Sequence, residues 1–66
     1  MRVKFGNHID WCRRITHSYG SGLLLITTDH SLYTVDCTDD AIAAELHNKI
    51  LVDGYIDVSN FYYSNV

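Results

Sequence analysis

Leu23-Leu24-Leu25-Ile26-Thr27-Thr28-Asp29-His30-Ser31-Leu32-Tyr33-Thr34-Val35-Asp36-Cys37 is the stretch on which the fold turns. Two runs rich in β-branched, aromatic and leucine residues flank Asp29-His30, the pattern of a β-hairpin. Asp suits the turn; His in place of Gly makes a strict two-residue type I′ turn a poorer fit. Setting Thr28 opposite Ser31 places Ile26 opposite Tyr33 and Leu24 opposite Val35. Side chains alternate faces along a strand. One face then carries Leu24, Ile26, Tyr33, Val35 and Cys37, which is the core face. The other carries Leu23, Leu25, Leu32, Thr27, Thr34 and Asp36. Three leucines on that second face are more than a fully solvated surface needs.

Downstream of the hairpin the period changes. Thr38 is expected as the N-cap of a helix, its hydroxyl accepting a free first-turn N–H. Asp39 and Asp40 follow in the first turn, where the helix dipole favours negative charge. Ile42, Ala43, Leu46 and Ile50 recur at helical spacing as the buried stripe. The expected core joins Ile42, Leu46 and Ile50 to Leu24, Ile26, Tyr33 and Val35. Gly54 is the expected left-handed stop. Val52-Asp53-Gly54-Tyr55 also has the form of an Asp-Gly hairpin turn; the start signals and the spacing favour the helix. A last strand is expected over Tyr55-Ile56-Asp57-Val58, followed by an aromatic tail at Phe61, Tyr62 and Tyr63.

Upstream, Val3-Lys4-Phe5 reads as a short strand before a Gly6-Asn7 turn. Ile9, Trp11 and Ile15 fit a strand face at period two, whereas Trp11, Cys12 and Ile15 fit a helix face; the strand is preferred. The expected fold is α+β, an antiparallel meander of roughly three to five strands with one helix on one face, in the order ββ(β)-β-α-β.

The chain has 66 residues, room for a single domain spanning all of them. So small a domain is marginally stable and often relies on disulfides, a metal or self-association. The hydrophobic fraction of 47% excludes wholesale disorder, and the absence of proline argues against a linker or Pro-rich tail. No apolar run approaches the ~20 residues of a membrane span. The charged start, Met1 to Gly6, is followed by no apolar segment of a signal peptide. A complete, soluble, cytoplasmic protein is the expectation, in the host cell if the chain is phage-encoded. Cys12 and Cys37 are then free thiols.

Charge is divided along the chain. Residues 1–35 hold Arg2, Lys4, Arg13 and Arg14 against Asp10 and Asp29; residues 36–66 hold Lys49 against Asp36, Asp39, Asp40, Glu45, Asp53 and Asp57. Such asymmetry bears on partners rather than on fold.

Four histidines raise the question of metal. His8 and Cys12, with Cys37 and His47, could supply a Cys2His2 set, but the paired spacing of zinc sites is absent. His17 and His30 lie near turns and are expected to be solvated. No metal and no cofactor are expected. A Cys–His nucleophile pair needs a pocket and an orienting third group, which a chain this short can hardly provide. Gly20-Ser21-Gly22 is a turn, not a phosphate loop, since no Walker lysine follows. An enzyme is not expected. Arg13 and Arg14 beside Trp11, with Arg2 and Lys4, have the chemistry of nucleic-acid contact, yet four cations on an acidic chain make a thin footprint. Direct nucleic-acid binding is not expected.

The acidic half points to a protein partner with a basic surface, one that itself binds nucleic acid being a natural target. Asp36, Asp39, Asp40, Glu45, Asp53 and Asp57, with Tyr55, Tyr62 and Tyr63, form the expected contact surface: carboxylates steer and tyrosines anchor. In size, acidity and tyrosine content the chain resembles phage-borne inhibitors of host enzymes, including anti-CRISPR and other DNA-mimic proteins. No residue motif matches those proteins, and no functional residue is carried over from them. The alternatives are a self-associating accessory protein that buries Leu23, Leu25 and Leu32 in a homodimer, and a small metal- or nucleic-acid-binding domain.

Overall fold

The computed structural model describes residues 1–66 as a mixed α+β domain of one helix and a curled sheet of six strands. Strands β1 (Arg2–Phe5), β2 (His8–Ser18), β3 (Leu23–Thr28) and β4 (Leu32–Asp36) form the antiparallel meander. Helix α1 (Asp40–Asp53) follows, then β5 (Tyr55–Asp57) and β6 (Tyr62–Asn65). The spatial order is β5-β1-β2-β3-β4-β6.

The central hairpin has the expected register, Leu24 opposite Val35 and Ile26 opposite Tyr33. Its turn closes through the Thr28 amide donating to Ser31 at 2.9 Å, while Thr28 Oγ1 accepts from the Ser31 amide at 3.0 Å. Leu24, Ile26, Val35 and Cys37 are buried.

The meander is not flat. Strand β2 pairs with β1 through its first half and with β3 through its second, and an extra residue, Arg13, sits between the Cys12 and Arg14 pairings. This bulge bends the strand and shifts its phase. Cys12 and Ile15 are buried as a result, whereas Ile9 and Trp11 are exposed. The period-two face expected to unite Ile9, Trp11 and Ile15 is therefore split across two faces. Three strand spacings separate β1 from β4, roughly 14 Å in a flat sheet. The Phe5 and Tyr33 rings nonetheless stack with centroids 4.2 Å apart, so the sheet curls around its core.

Two strands lie where sequence order does not predict them. Arg2 N–H donates to Gly54 at 2.8 Å and Val58 N–H to Lys4 at 3.0 Å, so the helix exit runs into β5 parallel to β1. The aromatic tail is itself a strand: β6 pairs antiparallel with β4 at the other edge of the sheet. A meander of three to five strands thus becomes six, with a parallel pair at one edge. The curl brings the end of β1 against β6, where the Phe5 and Tyr63 ring centroids lie 5.2 Å apart.

Helix α1 packs against β5, β2 and β3. Its N-cap is Asp39, not Thr38: the Asp39 carboxylate accepts from Ala41 N–H at 2.6 Å and Ile42 N–H at 3.2 Å. Thr38 takes a left-handed conformation (φ 64°), and its hydroxyl donates to the Cys37 carbonyl instead. Gly54 ends the helix at φ 74°. The buried stripe is Ala43 and Ile50, with Leu46 packed partly against it. Ile42 is 37% exposed, a correction to its expected burial; one residue from Ala43 is about 100° of rotation, enough to leave the core face.

Candidate functional site

The six acidic positions do not converge. Most of them satisfy backbone groups at turns. Asp36 Oδ1 accepts from Thr38 N–H at 2.8 Å, Asp39 caps the helix, and Asp57 accepts from the Ser59 amide at 2.9 Å and from its hydroxyl. The Ser59 hydroxyl and amide hold the Asp57 carboxyl below the usual carboxylate range. Glu45 and Asp53 are exposed on α1 and make no side-chain hydrogen bond.

Asp40 is the most engaged of them. Its carboxylate accepts from Gly20 N–H at 2.8 Å and Gly22 N–H at 2.9 Å, tying the β2–β3 turn to the first turn of α1. His17 Nε2 faces Asp40 Oδ1 at 3.2 Å. The Gly20 amide, then the His17 ring, hold the Asp40 carboxyl below the usual range. His17, expected in solvent, is instead 7% exposed. The β2 bulge turns it inward, and the Tyr19 ring covers it at 3.9 Å between centroids. Its Nδ1 is buried without a partner. His30 is exposed.

One group of expected contact residues is brought together. Asp36 opposes Tyr62 and Thr34 opposes Ser64 across the β4–β6 ladder. With Tyr63 they line an open hollow of about 260 Å³ at the sheet edge. The Thr34 and Ser64 hydroxyls share a hydrogen bond of 3.0 Å in its wall, and Tyr62 is 84% exposed. Thr34 and Ser64 are absent from the expected contact set. Alternation along β4 already puts Thr34 on the face of Asp36; Ser64 joins them only because β6 pairs there. Tyr63 alternates with Tyr62 and sends its ring towards Phe5. Tyr55 and Asp57 lie at the opposite edge, on β5.

The second hairpin face is uncovered by the chain's own segments. Leu23 and Leu25 are half-buried and Leu32 is 37% exposed; both terminal segments extend the sheet rather than cross its face.

Cys12 and Cys37 are free and buried. Burial pushes both thiols up, and neighbouring Asp36 adds to the effect at Cys37. His8 lies on β2 beside Asp10 at 3.6 Å, and His47 is half-buried on α1. No group of three or more His, Cys, Asp or Glu side chains is placed to hold a metal ion. No helix is long and apolar enough to cross a membrane.

No family model, no relative among the curated proteins and no solved structure matches this chain.

Proposed function

We propose that this chain is a binding module, acting by contact, that receives a basic side chain of a protein partner in the hollow between β4 and β6. The observation that carries the reading is the pairing of Asp36 with Tyr62 at facing positions, with hydroxyls from Thr34 and Ser64 beside them. A carboxylate next to an exposed aromatic ring suits a guanidinium or ammonium group, by charge and by attraction to the ring face. Asp36 commits one oxygen to the Thr38 amide, which orients the carboxylate. Strand β6 is also an edge, so its outer backbone groups are open to pairing. Inhibition by covering the basic, nucleic-acid-binding groove of a target protein is the form of action this chemistry fits. Buried thiols of raised pKa, and a histidine locked on Asp40, favour contact over catalysis.

The test is capture from lysate at low and high salt, wild type beside Asp36→Arg and Tyr62→Ala, with folding checked by circular dichroism. A basic protein retained by the wild type at low salt should be lost by Asp36→Arg. Equal retention by all three proteins rejects the hollow as the contact.

A second reading rests on Leu32, 37% exposed, and its half-buried neighbours Leu23 and Leu25 on the same hairpin face. Contiguous exposed apolar surface commonly marks an interface, and a homodimer through this face would bury it. A monomer by sedimentation at high concentration rejects that arrangement.

A further inference from the structure

The cations scattered over the first fourteen residues come together in space. On the outer face of β5, β1 and β2, Arg2 sits between Tyr55 and Trp11 in one cross-strand row, and Lys4 sits between Asp57 and Ile9 in the next. The Arg2 guanidinium lies 5.7 Å from the Tyr55 ring centroid. Trp11 is 65% exposed. The β2 bulge then presents Arg13 and Arg14 in succession, both exposed. Arg13 is tied to Asp29; Arg2, Lys4 and Arg14 form no ion pair. Asp57, the carboxylate in these rows, is turned to Ser59.

We propose that this face binds single-stranded nucleic acid, with a base stacked on Trp11 and phosphates held by Arg2, Lys4 and Arg14. Rings and cations alternate here. An acidic peptide would use the cations and leave the exposed Trp11 ring without a purpose, whereas unpaired bases stack on aromatic side chains and carry phosphates at the next position. A duplex hides its bases from such a ring. Of the other acidic residues, Asp10 lies on β2, where it accepts from the Trp11 N–H at 2.9 Å and faces His8, and Asp36, Asp39, Asp40, Glu45 and Asp53 lie on β4, α1 and the turn between them, so the net charge of −3 does not describe this face. The surface is built on β5, β1 and β2, whereas the hollow is lined by residues of β4 and β6.

Trp11 is the only tryptophan, so its emission reports on this face alone. The experiment titrates the purified chain with a short oligothymidylate at low salt, and in parallel with polyglutamate. Quenching by the oligonucleotide is expected, with log affinity falling against log salt at a slope of about −2 for three phosphate contacts. Anisotropy of a labelled oligothymidylate then reads the variants. Trp11→Ala should weaken binding about tenfold or more, Arg14→Ala and Lys4→Ala each should lower the salt slope, and Asp36→Arg should not weaken binding. Circular dichroism checks that each variant is folded. Absence of quenching at low salt overturns the proposal. Equal quenching by polyglutamate overturns it in favour of an acidic protein surface. An emission shift with protein concentration alone overturns it in favour of a second copy on this face.

Discussion

The corner where the β2–β3 turn meets α1 and the edge formed by β6 are held in contrasting ways. At the corner, one carboxylate, Asp40, takes two backbone amides and a buried imidazole. Gly22 is packed against it so closely that a Cβ there would lie 2.7 Å from the Asp39 amide nitrogen. Every part of the corner constrains another. At the edge, all four residues of β6 are exposed, and the strand is held by its ladder to β4 and by the Tyr63 ring. Local stability follows buried contacts and shielded hydrogen bonds. The corner is tied from several sides, whereas the edge, which carries the hollow proposed as the contact, has fewer buried contacts to hold it. Acidity alone is therefore a poor guide to a contact surface here: Asp40 serves the fold, while Asp36, four residues earlier, faces outward.

The largest expected effect tests the corner. Gly22→Ala places a Cβ against backbone at φ 66°. Left-handed strain and overpacking together should cost about 2–5 kcal/mol, a large part of the roughly 3–10 kcal/mol available to a domain of this size. Urea unfolding measures it, and a loss below ~1 kcal/mol would show that the turn can move away from α1.

Asp40→Asn should have the next effect, and its signature is in pH. The folded Asp40 carboxyl titrates below its unfolded value. Its contribution is thus complete above the unfolded carboxylate range, near ~4, and drains away as pH falls through the lower folded value. The substituted amide keeps an acceptor but not the charge. The wild type and variant should differ in Tm at neutral pH and converge in acid; a constant difference down to the lowest pH would assign the stability to shape rather than charge.

Smaller effects belong to the edge. Tyr63→Ala removes a ring packed on Phe5 and should cost about 0.5–1.5 kcal/mol for that aromatic contact. Tyr62→Ala removes an exposed ring and should stay within ~0.5 kcal/mol. Equal costs would mean that β6 is anchored differently from its neighbours. Hydrogen exchange sharpens the contrast: amides of Tyr62–Asn65 should exchange well before those of Leu24 and Ile26. Comparable protection would make the edge as rigid as the core.

Local chemistry announced much of this molecule. The hairpin over residues 23–37 is readable to its register, because alternation and a two-residue turn leave few pairings open. The helix and its Gly54 stop are readable from spacing and capping residues. The N-cap lies one residue beyond its expected place, since Thr38 and Asp39 are both competent acceptors and the choice depends on how the chain leaves β4. The tail Tyr62–Asn65 opens with two aromatic residues that favour strands but runs at once into Ser64-Asn65, too short a run to mark a strand, and without it the wall of the hollow cannot be assembled. His17 looks solvated in the sequence because the bulge that turns it inward leaves no local mark.

Interactions between near neighbours are already set in the order of the residues: the hairpin register, the helix with its stop, the core residues Leu24, Ile26, Val35 and Ile50, and the split of charge along the chain. Tertiary structure alone decided the pairings between residues distant in sequence. It placed β5 beside β1 and β6 beside β4, set Asp40 on the β2–β3 turn, and gathered Arg2, Lys4, Trp11 and Arg14 on one face. The physical reason is that period and capping act over one or two turns of chain. The bulge at Arg13 and the curl it permits take effect only when the whole sheet closes around its core.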